Sequence, residues 1–405
     1  MISNVRKAKK PELLAPIKNL AGLKACEKYA DAVYFSCGRL NMRARSTAID
    51  LRNICTVVRK IHEAGLKAYL TLNSIIYNND ISAVENIVKK AKDAGVDAVI
   101  AWDPAVIGIL RKNNVAVHIS TQANVSNRKS AEFYAEMGAK RIILAREMPL
   151  RQIAQIKKKV DVEIETFVHG AMCVSISGRC YLSSYLYGMS ANCGACAQPC
   201  RKEWMLVDVE NNKIVCDGKY LMSAKDMCMI GHIPELVRAG IDSFKIEGRL
   251  RDERYVETVS KCYREAINSY FEGSYTKDKV LSWEEELSKV YNRGFSTGFY
   301  FAKPTREGFN YDNSDNAAKE KRTAAGVVKH YYPKVGVAVV ALQNSGILAG
   351  DKIMIAGKTT YFRQKAVSIF IDEIKVDAAK KGTLIGLKVQ ERARENDVVY
   401  KVVDA

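Results

Sequence analysis

Glu63-Ala64-Gly65-Leu66-Lys67-Ala68-Tyr69-Leu70-Thr71-Leu72 ends an amphipathic helix, turns on a glycine and enters a short apolar strand. The phrase recurs. Asp93-Ala94-Gly95 leads into residues 97–102, Glu136-Met137-Gly138 into 141–144, and Arg238-Ala239-Gly240 into 243–246. Glycine just past a helix end adopts the left-handed conformation that stops the helix. A strand that is apolar throughout, rather than alternating, suits a parallel sheet covered on both faces. Eight such segments are expected, at 13–15, 32–36, 67–72, 98–101, 116–120, 141–145, 162–167 and 243–247. Alternating with helices, they predict an α/β fold of (β/α)8 type, a TIM-like barrel. A doubly wound open sheet is the competing architecture, disfavoured because no glycine-rich dinucleotide turn follows the first strand.

Working outward, polar residues gather where these strands end: Asn73, Asp103, Thr121, Gln122, Arg146, Glu147, Glu165, His169, Lys245 and Glu247. In a barrel those ends converge on the mouth where active sites are built. A long excursion from Gly170 to about Tyr220 precedes the last strand and is expected to cover that mouth. Helices are expected at 251–271 and 282–291. From Gly326 the pattern changes to alternating strands, at 335–342, 352–355, 366–371, 383–389 and 398–402. The organisation predicted is a catalytic barrel over 1–302, with a cysteine-rich insertion within 165–228, a linker over 303–325, and a small C-terminal β-barrel over 326–405. The last resembles the second domain of translation elongation factors, including the Gly350-Asp351 turn, and that resemblance points to RNA.

The chain has 405 residues, 63 basic against 45 acidic, for a formal charge of +18. Counterion release from a phosphate backbone rewards such a surface, so nucleic acid is the expected partner. No run approaches the ~18 apolar residues of a membrane span, and the basic N-terminus lacks the apolar core of a secretion signal. A cytoplasmic location is expected. Eleven cysteines in a reducing compartment argue against disulfides. Cys26, Cys55, Cys216 and Cys262 read as small buried hydrophobes. Six others fall between positions 173 and 228, a concentration that calls for a metal or cluster.

Six residues separate Cys173 from Cys180, fifteen separate Cys180 from Cys196, and three separate Cys196 from Cys200; Cys193 and Cys228 complete the set. Thiolates suit zinc or iron–sulfur clusters. Structural zinc would usually show two CxxC pairs, and only Cys193 with Cys196 forms one. The CxxxCxxC pattern of radical-SAM enzymes is absent. Widely spread single cysteines suit a 4Fe-4S cluster, whose thiolates bind separate irons, but spacing alone leaves zinc and plain buried thiols open.

The run Glu165-Thr166-Phe167-Val168-His169-Gly170-Ala171-Met172-Cys173, with Gly178-Arg179-Cys180-Tyr181-Leu182-Ser183, resembles the signature of the collagenase-like peptidase family of unknown catalytic type (U thirty-two). The likeness continues through Asn192 to Arg201, Ser223 to Cys228, Phe244 to Arg249, Asn292 to Gly298 and Lys303-Pro304, and so spans nearly the whole chain. Several members are implicated in oxygen-independent hydroxylation of tRNA wobble uridine, a ribosomal RNA cytidine or ubiquinone precursors. With its C-terminal β-domain, this chain looks most like the tRNA hydroxylation branch, which makes 5-hydroxyuridine using prephenate. The resemblance implies a 4Fe-4S cluster on Cys173, Cys180, Cys196 and Cys228, with Cys200 a competitor and the role of Cys37 open; Cys193 stands where many relatives carry a polar or basic residue. It also implies tRNA as partner and prephenate as co-substrate, with an electron donor or a paralogous subunit as further partner. Glu165, His169, Lys245 and Glu247 are the expected catalytic residues, and Arg43, Arg45 and Arg146 the expected binders of a dicarboxylate.

The peptidase reading lacks a nucleophile. There is no HExxH helix and no GxSxG elbow. A Cys173–His169 pair is conceivable, but a cluster ligand is not also a free nucleophile. A non-catalytic RNA-binding cluster protein is the third reading.

Overall fold

The computed structural model describes residues 9–42, 44, 49–214, 220, 222–248, 250–311 and 316–405. Eight parallel strands form its centre: β1 (Glu12–Pro16), β2 (Ala32–Ser36), β3 (Lys67–Thr71), β4 (Ala98–Ala101), β5 (Val117–Ile119), β6 (Arg141–Ile143), β7 (Glu163–Gly170) and β8 (Ser243–Ile246). Each pairs with the next, and β8 pairs with both β7 and β1, so the sheet closes into a barrel. Each expected segment overlaps one of these strands, β1 being a residue longer at each end and β7 running on from 167 to Gly170. Gly65, Gly95, Gly138 and Gly240 have φ of 76°, 72°, 86° and 78°, the left-handed turn the repeated phrase requires. The intervening helices are amphipathic. Ile54–Glu63, for example, buries Ile54, Val57, Val58 and Ile61, the spacing of one helical face turned to the sheet.

The barrel is not filled by apolar residues alone. Arg141 on β6 donates to Glu12 at 2.5 Å, to Glu163 at 2.6 Å and to Glu165 at 3.0 Å, and Lys245 on β8 donates to Glu165 at 2.8 Å. The side chains of Arg141, Glu165 and Lys245 are 3%, 0% and 5% exposed, so these charges are compensated by one another and not by water. His118 stacks edge-on against Tyr69 in the same layer.

After β7 the chain leaves the barrel for the cysteine-rich excursion. It returns as a strand, Asp226–Cys228, antiparallel to the end of β7, with Met227 opposite Gly170 and Cys228 opposite His169. Helices Glu253–Phe271 and Lys277–Ser288 follow β8, the second starting earlier than expected because the Thr276 hydroxyl accepts the Lys279 N–H at its N-terminus.

The C-terminal β-domain is an antiparallel sheet of eight strands. From one edge they run Tyr361–Lys365, Lys352–Ala356, Val398–Asp404, Glu320–Tyr332, Val337–Ala341, Leu384–Lys388, Ile369–Ile371 and Ile374–Val376. Val328, Val340, Ile353, Ile385 and Leu387 pack its core. The expected linker is shorter than 303–325, since Glu320 already opens the longest strand. The two domains also adhere. Met354, Ala356, Tyr361 and Val402 join the barrel's hydrophobic core, Tyr361 donates to Glu257 at 2.7 Å, and Arg254 pairs with Glu320 at 3.1 Å. No helix among the described residues is long and apolar enough to cross a membrane.

Candidate functional site

The site is set by an irregularity where β7 meets β8. Lys245 stands opposite Phe167, but Ile246 stands opposite His169, so Val168 is one residue too many in β7. Such a bulge reverses the alternation of side chains beyond it. Phe167 and Lys245 face the barrel's mouth. His169 is turned outward into an aromatic pocket of Tyr255, Tyr263 and Phe295, and its Nδ1 lies 3.4 Å from the Tyr263 hydroxyl. Gly170 then allows the chain to depart. Its φ is 104°, and a Cβ there would sit 2.7 Å from the Glu247 carbonyl oxygen.

A cavity of about 170 Å³ lies at the mouth, under the excursion. Its floor is Tyr34, Thr71, Ile100, Phe167 and Lys245, from the strand ends, and its roof carries Cys173, Cys180, Cys196 and Cys200. Three of these thiols accept a backbone N–H from the residue two further along, each at 3.4 Å: Ser175 to Cys173, Leu182 to Cys180, and Gln198 to Cys196. Ser183 Oγ also approaches Cys196 Sγ at 3.8 Å. Burial pushes the Cys200 thiol up to about 11, and Cys173, Cys196 and Cys180 push it the same way, as expected of sulfurs facing one space. N–H groups aimed at sulfur stabilise thiolates that bind iron. Among the described residues no three His, Cys, Asp or Glu side chains stand close enough to hold a single metal ion. A cubane cluster places its four thiolates further apart, each on its own iron, and four thiols around one cavity fit that demand.

Buried arginines fix the roof. Arg201 donates to the Met172 carbonyl at 2.6 Å, to Ser223 at 3.2 Å and to the Ala224 carbonyl. Arg293 bridges Asp226 at 3.3 Å and Gln198 at 3.5 Å. On the other side Glu147 accepts the Ser177 N–H at 2.9 Å. Gly194 (φ 83°) lets the roof touch the loop after β2, where a Cβ would stand 2.2 Å from the Asn41 carbonyl oxygen. Nothing in the spacing of Arg201 or Arg293 marks them in advance as anchors.

Several expected site residues are placed elsewhere. Cys228 does not line the cavity. Paired with His169, it points to the same outer face, and burial pushes its thiol up to about 12. Cys200 takes its place among the cavity cysteines. Glu165 is one layer below the mouth, in the ion network. His169 is turned away from this cavity, and burial and Arg251 push its imidazole down to about 3. Folding therefore favours the neutral ring, and stability is expected to fall as pH drops from about 6.5 toward 3. A pH series of urea unfolding curves checks this, the slope being shallower in His169→Phe.

Lys245, Glu247 and Arg146 do line the cavity. Arg146 lies over Phe167, its guanidinium carbon 4.0 Å from the ring centroid. It donates to the Ala171 carbonyl at 3.1 Å and keeps its Nε buried without a partner. Arg43 and Arg45 lie outside the described residues, as does Cys216. Asp103 is a helix cap, accepting the Ala105 N–H at 2.9 Å. Cys37 is buried and Cys193 half-buried, and neither lines the cavity; Cys26 and Cys262 are buried as expected, but Cys55 is exposed.

The sequence model of peptidase family U32 matches residues 19–310. The chain belongs to this family. Among U32 relatives it is 45% identical over 400 residues to an uncharacterized protease of Methanocaldococcus jannaschii, covering 96% of this chain and 97% of that one. It is 36% identical over 408 residues to a collagenase of Porphyromonas gingivalis, covering 96% and 97%. It is also 36% identical over 357 residues to a tRNA hydroxylation protein of Bacillus subtilis, covering 86% and 84%.

Proposed function

We propose that the chain is an iron–sulfur-dependent enzyme that hydroxylates RNA without molecular oxygen. Its substrate in this reading is the wobble uridine of tRNA, converted to 5-hydroxyuridine with prephenate as co-substrate. One observation carries the reading: Cys173, Cys180, Cys196 and Cys200 converge on the cavity at the barrel's mouth, three of them as N–H···S acceptors. The Bacillus subtilis relative, named for tRNA hydroxylation, supports the RNA substrate. So does the net charge of +18.

Replacing the C5–H of uridine by C5–OH with the oxygen of water releases two protons and two electrons, so the reading requires a two-electron acceptor. A bound cluster would supply one-electron transfer next to the cavity. The chain's own residues do the rest. Arg146, with its buried unpartnered Nε, offers positive charge to a dicarboxylate, and Lys245 lines the same cavity. Glu247, a carboxylate on the cavity wall, takes one of the protons in this reading. The two electrons leave to an acceptor, either the co-substrate or a redox partner protein, and a paralogous subunit is a further partner in this reading.

The protease names of other relatives keep a second reading in view. It needs a nucleophile with a base, and the pair suggested by sequence does not form: Cys173 faces the cavity while His169 is turned outward.

Mass spectrometry of nucleosides from a deletion strain tests the proposal. Loss of 5-hydroxyuridine derivatives is expected, and normal levels with no paralogue present would overturn it. Binding of tRNA should weaken log-linearly with salt, by a slope of roughly 0.9 per phosphate neutralised on a duplex and less on single strands. Filter binding across a salt series reads that slope, and a flat response would remove the phosphate contacts. A C-terminal truncation probing tRNA binding should start before Glu320, because a cut at 326 would split the strand Glu320–Tyr332.

A further inference from the structure

Beside the cysteine cavity, and sharing Asn73 and Gln122 with it, lies a second cavity of about 220 Å³ lined by Trp102, Arg179 and Tyr181. Contacts tie part of its wall together. Trp102 donates its indole N–H to the Asn73 carbonyl at 2.9 Å, and Arg179 donates to the Gln122 carbonyl while lying 4.8 Å from the Trp102 ring centroid. Tyr181 is 79% exposed, and Tyr185, one helical turn on, is 86% exposed. Beyond them Lys202 sits 4.6 Å from the ring centroid of Tyr187.

Large aromatic rings left in water on a roof otherwise pinned by buried arginines have no packing role there. Rings interleaved with cations are what unpaired nucleic acid uses, bases stacking on the rings and phosphates following the charges. We propose that this rim is a stacking platform for unpaired nucleotides, Trp102, Arg179 and Tyr181 holding a base in the side cavity and Tyr185 its neighbour along the strand. The inference rests on the RNA reading above and deepens it, since it says how a reacting base is presented: pulled from its stack and flanked by platform-bound neighbours. Proline-rich peptides also dock on aromatic grooves, but Arg179, Lys202 and the net charge of +18 favour a polyanion.

The test uses full-length protein carrying its cluster and a short fluorescent oligouridylate, read by anisotropy at one salt concentration. Tyr181→Ala and Tyr185→Ala should each weaken binding by about tenfold, with phenylalanine in place of either tyrosine restoring it, because stacking needs the ring and not the hydroxyl. The cluster's absorption should be unchanged in all four variants. A duplex of the same length should be insensitive to them. Equal affinity of the alanine variants and wild type for the oligouridylate would overturn the platform. So would a labelled oligoproline that binds wild type and is lost in those variants while oligouridylate binding is kept. A deletion strain that retained 5-hydroxyuridine would sink the hydroxylase reading without altering these anisotropy results, so the two failures are distinguishable.

Discussion

Cys200→Ser is expected to abolish the cluster, and Cys228→Ser to leave it in place. Anaerobically prepared wild-type protein should be brown, with about four irons and four sulfides per chain, one iron for each thiolate. Serine at Cys173, Cys180, Cys196 or Cys200 should remove the chromophore or strip it to a smaller, labile species. Cys228 packs on the outer face of the barrel with His169 and Tyr263, so its serine variant should lose only a modest amount of stability. Absorption spectra with iron and sulfide analysis separate the two patterns. A bleached Cys228→Ser beside an intact Cys200→Ser would return the fourth ligand to Cys228. Stoichiometric zinc without sulfide would remove the cluster altogether.

The second large effect is on stability. Arg141 is the common partner of Glu12, Glu163 and Glu165 inside the barrel. Arg141→Met would leave Glu165, which is fully buried, with Lys245 as its remaining partner and Glu12 without its arginine. Breaking a buried ion pair from one side costs about 3–5 kcal/mol, a large share of the 5–15 kcal/mol that ordinarily holds a domain folded. The cost should shrink as pH falls, because burial pushes the Glu12 carboxyl up but Arg141 helps to hold it below its usual range, a contribution that is lost once Glu12 is protonated. Adding Glu165→Gln should recover part of the loss by removing the stranded charge. Urea unfolding of the single and double variants at two pH values measures this. A loss below about 1 kcal/mol, the range of exposed pairs, would show that water reaches the network.

The placement of the cysteines bears on what a sequence discloses. That Cys173, Cys180 and Cys196 share one cavity was legible because each belongs to a short local run, Gly170 to Cys173, Gly178 to Ser183 and Asn192 to Cys196, whose turns are fixed by nearby glycines. Cys200 and Cys228 were not separable in that way. Both follow the run at plausible distances, and spacing says nothing about which face of a returning strand a side chain occupies. The expectation that His169 would share the mouth with Glu165 failed for the same reason. Strict alternation along β7 puts residues 165, 167 and 169 on one face, and the extra residue at Val168 breaks it.

The sequence by itself determined the barrel, because its instructions are local. A glycine that ends a helix, an apolar run that wants cover on both faces and a helix with one greasy stripe each act within a few residues, and eight repetitions leave little choice of closure. It also determined the basic character of the surface and the place of the cysteine excursion. The tertiary structure alone decided the side-chain geometry. The bulge exists only as a mismatch between β7 and β8, strands far apart in the chain, and it sends His169 and the paired Cys228 outward together. The ion network likewise draws one partner from each of several strands, so no single segment shows that Glu165 serves the barrel's interior instead of its mouth. Facing and charge compensation are properties of contacts between distant segments, and these are fixed only once the barrel has closed.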